Sequence, residues 1–414
     1  MLIDLPANSS SANSLKDHYD IIVVGGGLVG ASFALHLQKE TGATLSILVV
    51  EAVAAGAQDQ PGFDARSTAL SWSSREFFAR AGLWDALAAE ATAINDIYVS
   101  DQGRFGSASL SHTEHRQEAL GYVLENRHLG TVLNTALEES PTIAKLAPAQ
   151  ISQIRPKQSG MELTVDCQDS THTVSAALVV VAEGGRSPIC TQLGIEQQRK
   201  AYEQHAIIAN IALEKAHNNR AIERFTRSGP LAVLPLSGFT GLNRASLVWT
   251  VDAAESEQLM ALSDAETVKA LNARLGRQAG RVTQIGKRVC YPLTLSVATE
   301  QIRPGLVLLG NVAHTVHPVA GQGFNLALRD TECLVNELVA GQARQESPGS
   351  MAVLQRYLDQ QMQDQQRVIT FTDQLVSLFS SARMHKALIR KLGLLSIDMI
   401  PTLRHQLARS AMGA

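Results

Sequence analysis

The residues best suited to chemistry fall in glycine-rich stretches far apart in the chain. The first is Gly25-Gly26-Gly27-Leu28-Val29-Gly30. Gly25 permits a tight turn, Gly27 lets backbone approach a pyrophosphate, and Gly30 lets a helix pack closely on a strand. Free N–H groups at the start of such a helix hold the pyrophosphate. Glu51 follows at the spacing expected of an acid that binds a ribose. This set points to a dinucleotide and leaves FAD and NAD both open. A second stretch, Leu309 to Asn325, carries Gly310-Asn311, His314, His317-Pro318 and Gly321-Gln322-Gly323-Phe324-Asn325. Glycines leading into a helix present backbone donors and a helix dipole, which stabilise developing negative charge. A third, Ala182-Glu183-Gly184-Gly185-Arg186-Ser187, is a carboxylate-bearing turn in which Ser187 also suits a helix cap. Arg66, in Gly62-Phe63-Asp64-Ala65-Arg66-Ser67-Thr68-Ala69-Leu70, places a cation in a loop.

Other chemistries lack their residues. His314 and His317 share an H-x-x-H spacing beside Pro318, but no HExxH occurs, so a metal site is not expected. No G-x-S-x-G elbow is present for a serine nucleophile. Cys167, Cys190, Cys290 and Cys333 form no CxxC pair, which fits a reducing compartment. The net charge of -3 gives no general reason to expect nucleic-acid binding. The Ser/Asn-rich start lacks the basic and apolar regions of a secretory signal, and no apolar run reaches membrane-spanning length. A cytoplasmic location is the expectation.

These residues need elements to hold them. An apolar run at Asp20 to Val24, the glycines, a helical stretch from Leu28 to Lys39 and a second run from Leu45 to Val50 compose a βαβ unit opening a parallel sheet. Ser73 to Leu87 reads as a helix with Phe77, Phe78, Leu83 and Trp84 inward, and Gly130 to Leu137 as part of another. Leu178 to Val181 is an isolated buried strand. From about Tyr202 to Tyr291 short alternating segments, such as Ala206 to Leu213 and Ala245 to Val251, indicate antiparallel strands. Leu306 to Leu309 adds a strand, a helix begins near Asn325, and the chain is mostly helical after Met351. With 414 residues, two domains are expected.

The stretch from Leu309 to Asn325 resembles the second FAD signature of the class A flavoprotein monooxygenases, which share the para-hydroxybenzoate hydroxylase fold. The Glu183 turn resembles that family's Asp-Gly motif, and Asp64-x-Arg66-x-x-Ala69-Leu70 resembles its ubiquinone-biosynthesis branch. Phe225 to Leu236, Ser246 to Trp249, Lys287-Arg288 with Tyr291-Pro292-Leu293, and His317-Pro318 are similar to the polyprenyl methoxyphenol hydroxylases of that branch. The likeness runs from about Tyr19 to the C-terminus. Two positions depart from the family: Glu183 and Asn311 stand where Asp is usual. Asn still hydrogen-bonds a ribityl hydroxyl without charge.

The resemblance implies an α/β protein with a Rossmann-like FAD-binding domain, a mixed-sheet substrate domain and C-terminal helices. It places the FAD domain at residues 19–85, 115–190 and 290–345, the substrate domain at 86–114 and 191–289, a disordered tail at 1–18 and a helical region at 346–414. The implied cofactor contacts are Gly25, Gly27, Gly30, Glu51, Arg66, Arg127, Glu183, Gly184, Gly310, Asn311, Gly321, Gln322, Gly323 and Asn325. Arg66, His317 and Pro318 would face flavin and substrate. FAD would be reduced by NADH or NADPH, react with dioxygen to a C4a-hydroperoxide and hydroxylate the ring of a polyprenyl phenol, with no side chain demanded as nucleophile. Hydroxylation at another ring position, a flavin oxidase, and an FAD-binding scaffold subunit of a ubiquinone-biosynthesis complex are the alternatives. The segment from Arg383 to Ala414 has basic residues Arg383, Lys386, Arg390, Lys391, Arg404 and Arg409 against one acid, Asp398. Such a basic amphipathic stretch suits peripheral contact with the inner face of a membrane, a partner protein, or the core.

Overall fold

The computed structural model describes residues 15–54, 66–102, 107–168, 170–238, 241–276, 278 and 280–379. The basic C-terminal segment and Asp64 lie outside the described residues.

The expected βαβ unit forms from the strand His18–Val24, the helix Leu28–Glu40 and the strand Ile47–Val50. The two strands pair in parallel, Ile21 opposite Ile47 and Val24 opposite Val50. Burial on both faces explains why both read as unbroken apolar runs. The sheet continues through Thr171–Val181 and Leu306–Leu308 on one side and Ile143–Leu146 on the other, each pairing in parallel with its neighbour. Leu178 to Val181 is the buried end of an 11-residue strand. Its first half leaves the parallel sheet to pair antiparallel with Gly160–Cys167, which pairs with Ala149–Lys157. The helix expected over Ser73 to Leu87 is two, Trp72–Arg80 and Trp84–Ala88, parted at Gly82 (φ +74°). Leu28–Glu40, Gln322–Ala343 and Asn126–Glu139 cover one face of the sheet, with Phe33, Leu37, Leu133 and Leu334 in the shared core.

The second sheet is antiparallel for the most part. Val289–Ala298, Gln197–Leu213, Asn243–Asp252, Pro230–Pro235 and Arg220–Phe225 follow one another across it. Asp96–Asp101 then pairs in parallel with Arg220–Phe225, and Ser107–Ser111 closes the edge. Side chains alternate between the faces. Ile207, Leu231, Val233, Leu247 and Trp249 join a core with Leu271 and Leu275 of the helix Asp264–Leu275. Ala206, Ile208, Ala232, Leu234 and Val248 face the other way, onto a cavity. A third, small sheet joins Ser67–Ser71, Gly121–Glu125 and Thr92–Ile94.

Val289–Ala298 belongs to the second sheet, where it pairs with Gln197–Leu213. The short strand His314–Thr315 also pairs with Val289–Ala298, so the second FAD stretch begins at the junction of the sheets. The chain re-enters the first sheet at Ile302–Arg303 and Leu306–Leu308.

Candidate functional site

The glycine turn after the first strand is shaped by its own backbone. Gly25 has φ +100°, and a Cβ there would stand 2.6 Å from the Ala182 carbonyl oxygen. A Cβ on Gly30 would lie 1.9 Å from the Gly25 carbonyl oxygen. Helix and turn therefore touch backbone to backbone, a contact that only glycine at position 30 allows. Gly27 begins the helix with no side-chain cap, and no acid lies in the first turn. A Cβ on Gly27 would meet nothing within 4 Å, because this residue lines the cavity. Uncapped N–H groups at the start of a helix beside an open space fit a pyrophosphate.

Glu51 directly follows the second strand and lines the same cavity. Its Oε2 accepts from the Gly26 N–H at 2.6 Å and its Oε1 from the Val53 N–H at 2.9 Å. These bonds fix the carboxylate against the glycine turn and leave lone pairs for a ribose hydroxyl. Glu183 is also on the wall, but its Oε1 accepts from the Ser187 hydroxyl and from the Ile189 N–H at 3.4 Å. Ser187 caps the helix Pro188–Gln192, accepting from the Cys190 N–H at 3.0 Å. The longer acid thus props a helix start, and burial raises its pKa above the usual carboxylate value.

At the flavin-signature end, Gly321 precedes the helix Gln322–Ala343, again with no side-chain cap and no acid in the first turn. Pro318, Gly321, Gly323, Asn325 and the exposed Asn311 line the cavity, as do Gly184 and Arg66. The Arg66 guanidinium lies 5.2 Å from the centroid of the Tyr291 ring. Asn325 has its side chain bound within the protein. Its Oδ1 accepts from the Ser71 N–H and the Ser74 hydroxyl, and its Nδ2 donates to the Ala69 and Gly321 carbonyls. It holds the helix start in place instead of reaching outward.

Several expected contacts lie off the wall. Gly30, Gly310 and the buried Gln322 shape the elements behind it. Arg127 is exposed on the first turn of Asn126–Glu139, whereas its neighbour Asn126 faces the cavity and accepts from the Thr68 hydroxyl at 2.6 Å. His317 is fully buried and absent from the wall. Its Nδ1 accepts from the Val319 N–H at 3.1 Å, and its ring meets the Tyr202 ring edge-on at 5.2 Å. Burial pushes its pKa down to about 4, so it is neutral near pH 7 and suited to shaping the Pro318 turn. His314 bonds Asp330 at 2.5 Å, and Asp330 accepts at 3.0 Å from Gln365 of the helix Met351–Phe379, the last among the described residues. The two histidines serve separate structural tasks.

The cavity measures about 1250 Å³ and is continuous from Gly27 and Glu51, past Gly321, to the inward face of the second sheet. That face is apolar but for Glu223, Tyr291 and Thr315, and of these sequence reasoning missed Glu223. Its strand, Arg220–Phe225, shows no alternation that would mark it: Ala221, Ile222 and Phe225 are buried, and Glu223 and Arg224 are half-buried. Burial alone raises its pKa to about 7.

An FAD-binding domain family matches residues 18–372. A ubiquinone hydroxylase, UbiL, of Rhodospirillum rubrum is 36% identical over 95% of this chain and 89% of its own length. The 3-demethoxyubiquinol 3-hydroxylase of Escherichia coli is 30% identical over 95% of this chain and 98% of its own. Among solved structures, the p-nitrophenol 4-monooxygenase PnpA of Pseudomonas putida superposes with a TM-score of 0.77 at 16% identity, covering 95% of this chain and 98% of that one. The last likeness carries the fold. A glycine-walled dinucleotide groove, an uncapped helix at its far end and the sequence relatives agree: the chain belongs to the FAD-dependent aromatic monooxygenases of ubiquinone biosynthesis.

Proposed function

We propose that this protein hydroxylates the ring of a polyprenyl methoxyphenol, with the adenine end of FAD at Gly25 to Gly30 and Glu51 and the flavin ring at Gly321 to Gly323. The observation that carries the reading is the single cavity joining the glycine-walled groove to an apolar chamber under the second sheet. Bound FAD, reduced by NAD(P)H, supplies the dioxygen chemistry. The protein's part is to hold the ring close to the flavin and keep water away. Ile208, Ala232, Leu234 and Val248 supply apolar walls for the ring and the first part of the prenyl tail. The Gly321 helix start turns N–H groups toward negative charge, and Arg66 adds a cation at the junction with the chamber. Phe371 and Leu375 of the last helix also line the cavity, and Phe371 remains 37% exposed. This supports an exit for the tail there, toward a peripheral membrane contact. No helix among the described residues is long and apolar enough to cross a membrane.

The test is turnover of a short-chain 2-methoxy-6-prenylphenol by the yellow protein under labelled dioxygen. One labelled oxygen in the product supports ring hydroxylation, and the position of that oxygen identifies the pathway step. NAD(P)H consumption yielding hydrogen peroxide and no labelled product would favour the oxidase alternative.

A further inference from the structure

The inward face of the second sheet carries one carboxylate in an apolar field. Glu223 pairs across the sheet with Val99 on one side and Ala232 on the other. Ala232 stands opposite Val248, and Val248 opposite Ile208. All five line the cavity. Along its own strand the neighbours on that face are Ala221 and Phe225, which line it too. The accessible surface of Glu223 therefore opens into the chamber. Its side chain has no hydrogen-bond or ion-pair partner among the described residues, whereas Glu51 and Glu183 each have two backbone or hydroxyl donors. A carboxyl placed in an apolar chamber without a protein partner is costly unless something else meets it there.

We propose that Glu223 accepts the proton of the ring hydroxyl of the bound phenol and so fixes the orientation in which the ring faces the flavin. The proposal rests on the ring-hydroxylation reading above and adds the residue that recognises the substrate's polar group. The balance is simple. The phenol O–H bond breaks, a carboxyl O–H bond forms, and the electron pair stays on the ring oxygen, raising electron density at the ortho and para carbons. One oxygen of dioxygen, activated with the two electrons that NAD(P)H would supply through bound FAD, would be transferred as hydroxyl: the O–O bond breaks, a C–O bond forms at one of these carbons to leave a dienone with a hydrogen on that carbon, and the second oxygen ends as water. That hydrogen leaves as a proton to water, the carboxyl returns its proton to the ring oxygen, and Glu223 ends as a carboxylate.

The position of Glu223 on the proton scale suits this task. A base is most effective when its pKa lies near the working pH, and burial sets Glu223 at about 7. No other charge contributes to that shift. The other ionisable groups on the cavity wall are Glu51, Arg66, Glu183, Arg186 and Tyr291. Of the strands flanking Arg220–Phe225, Pro230–Pro235 has no ionisable residue, and Asp96–Asp101 has Asp96 and Asp101 at its ends and Tyr98 opposite Ile222, on the other face.

The experiment compares FAD-loaded wild type, E223L and E223Q with two probes, 2-methoxy-6-prenylphenol and its O-methyl ether. Binding is followed by perturbation of the flavin absorbance, without turnover. Wild type is expected to prefer the phenol by about tenfold or more, since a site built for a hydroxyl rejects the analogue lacking its hydrogen. E223L should bind both alike while staying yellow. In turnover, the wild-type kcat/KM should rise through about pH 7, and E223Q should lose this rise and fall by about 10²-fold at pH 8. A wild type without preference for the phenol overturns the proposal, and so does an E223L that keeps it. Should E223L lose its FAD, an E223Q profile that still rises through pH 7 overturns it instead. Absence of labelled oxygen in the wild-type product is a separate result, which counts against the ring-hydroxylation reading and not against the binding comparison.

Discussion

The side-chain oxygen of Asn325 accepts a hydrogen bond from the backbone N–H of Ser71 at 2.9 Å, across 254 positions of sequence. Both residues are buried, and the same side chain also binds Ser74, Ala69 and Gly321. One amide thus ties the uncapped helix start to the small third sheet. Replacing Asn325 by Ala leaves the Ser71 N–H and two carbonyls without their partner. The buried Ser71 N–H left as an orphan costs about 1–3 kcal/mol, and the half-buried Ala69 and Gly321 carbonyls cost less. Asn325→Ala is therefore expected to lower stability by roughly 2–4 kcal/mol and to release FAD at lower temperature. Denaturant unfolding and the rise of free-flavin fluorescence on heating measure the two effects.

At the other end of the groove, the contact between Gly30 and the Gly25 carbonyl leaves no room for a methyl group. Gly30→Ala must push the helix away from the turn or open the turn itself. Both displace the N–H groups proposed to hold the pyrophosphate. FAD affinity is expected to fall by more than about tenfold, a change of about 1.4 kcal/mol. Titration of the apoprotein with FAD reads it directly, and affinity within twofold of wild type would count against the assigned role of this turn.

A third expectation separates two adjacent residues. Arg127 is exposed and off the cavity wall, while Asn126 is buried, on the wall and bonded to Thr68. Arg127→Ala should leave FAD affinity unchanged. Asn126→Ala removes the acceptor for the Thr68 hydroxyl and a polar atom from the wall, and should weaken FAD binding. The same apoprotein titration compares them, and a larger loss at Arg127 would reverse the assignment.

The contrast between these two residues shows where sequence was informative. The Gly25 to Gly30 turn, Glu51 and the Gly321 to Gly323 helix start were legible because a backbone constraint leaves a residue-type mark: a close approach admits only glycine, and a strand-end acid sits at a fixed spacing. Arg127 and Asn126 differ by one step on a helix, about 100° of rotation. Nothing local says which faces inward, and it is the neutral residue that lines the cavity. Glu223 was invisible for a different reason. Its significance comes from Val99, Ala232, Val248 and Ile208, brought beside it by strands from across the second sheet. The split of the Ser73 to Leu87 helix was readable in principle, since Gly82 adopts φ +74° where a continuous helix would not.

His317 yields a prediction with a definite sign. Its Nδ1 accepts from the Val319 N–H, which assigns the proton to Nε2 in the neutral ring. Protonation would put a second hydrogen on Nδ1, break that bond and place a charge in a fully buried site. Burial accordingly holds the folded pKa at about 4, below the unfolded value of 6.5. Between these values the unfolded chain binds a proton that the folded chain refuses. Stability from this group is complete above pH 6.5 and declines as pH falls toward 4, by roughly 3 kcal/mol in all. Glu223 acts in the opposite direction. Its folded pKa of about 7 exceeds the ordinary 4.5, so lowering the pH from 7 to 4.5 favours the folded state at that site. The two must be separated by difference. His317→Gln keeps a polar side chain that cannot charge, so its unfolding free energy should lack the part of the acid decline that His317 causes. Urea unfolding of wild type and variant at pH 7.5 and pH 5 should show the wild type losing about 2 kcal/mol more over that interval. Parallel losses would mean that His317 is protonated as readily in the fold as out of it, and that its bond to Val319 does not hold the neutral form.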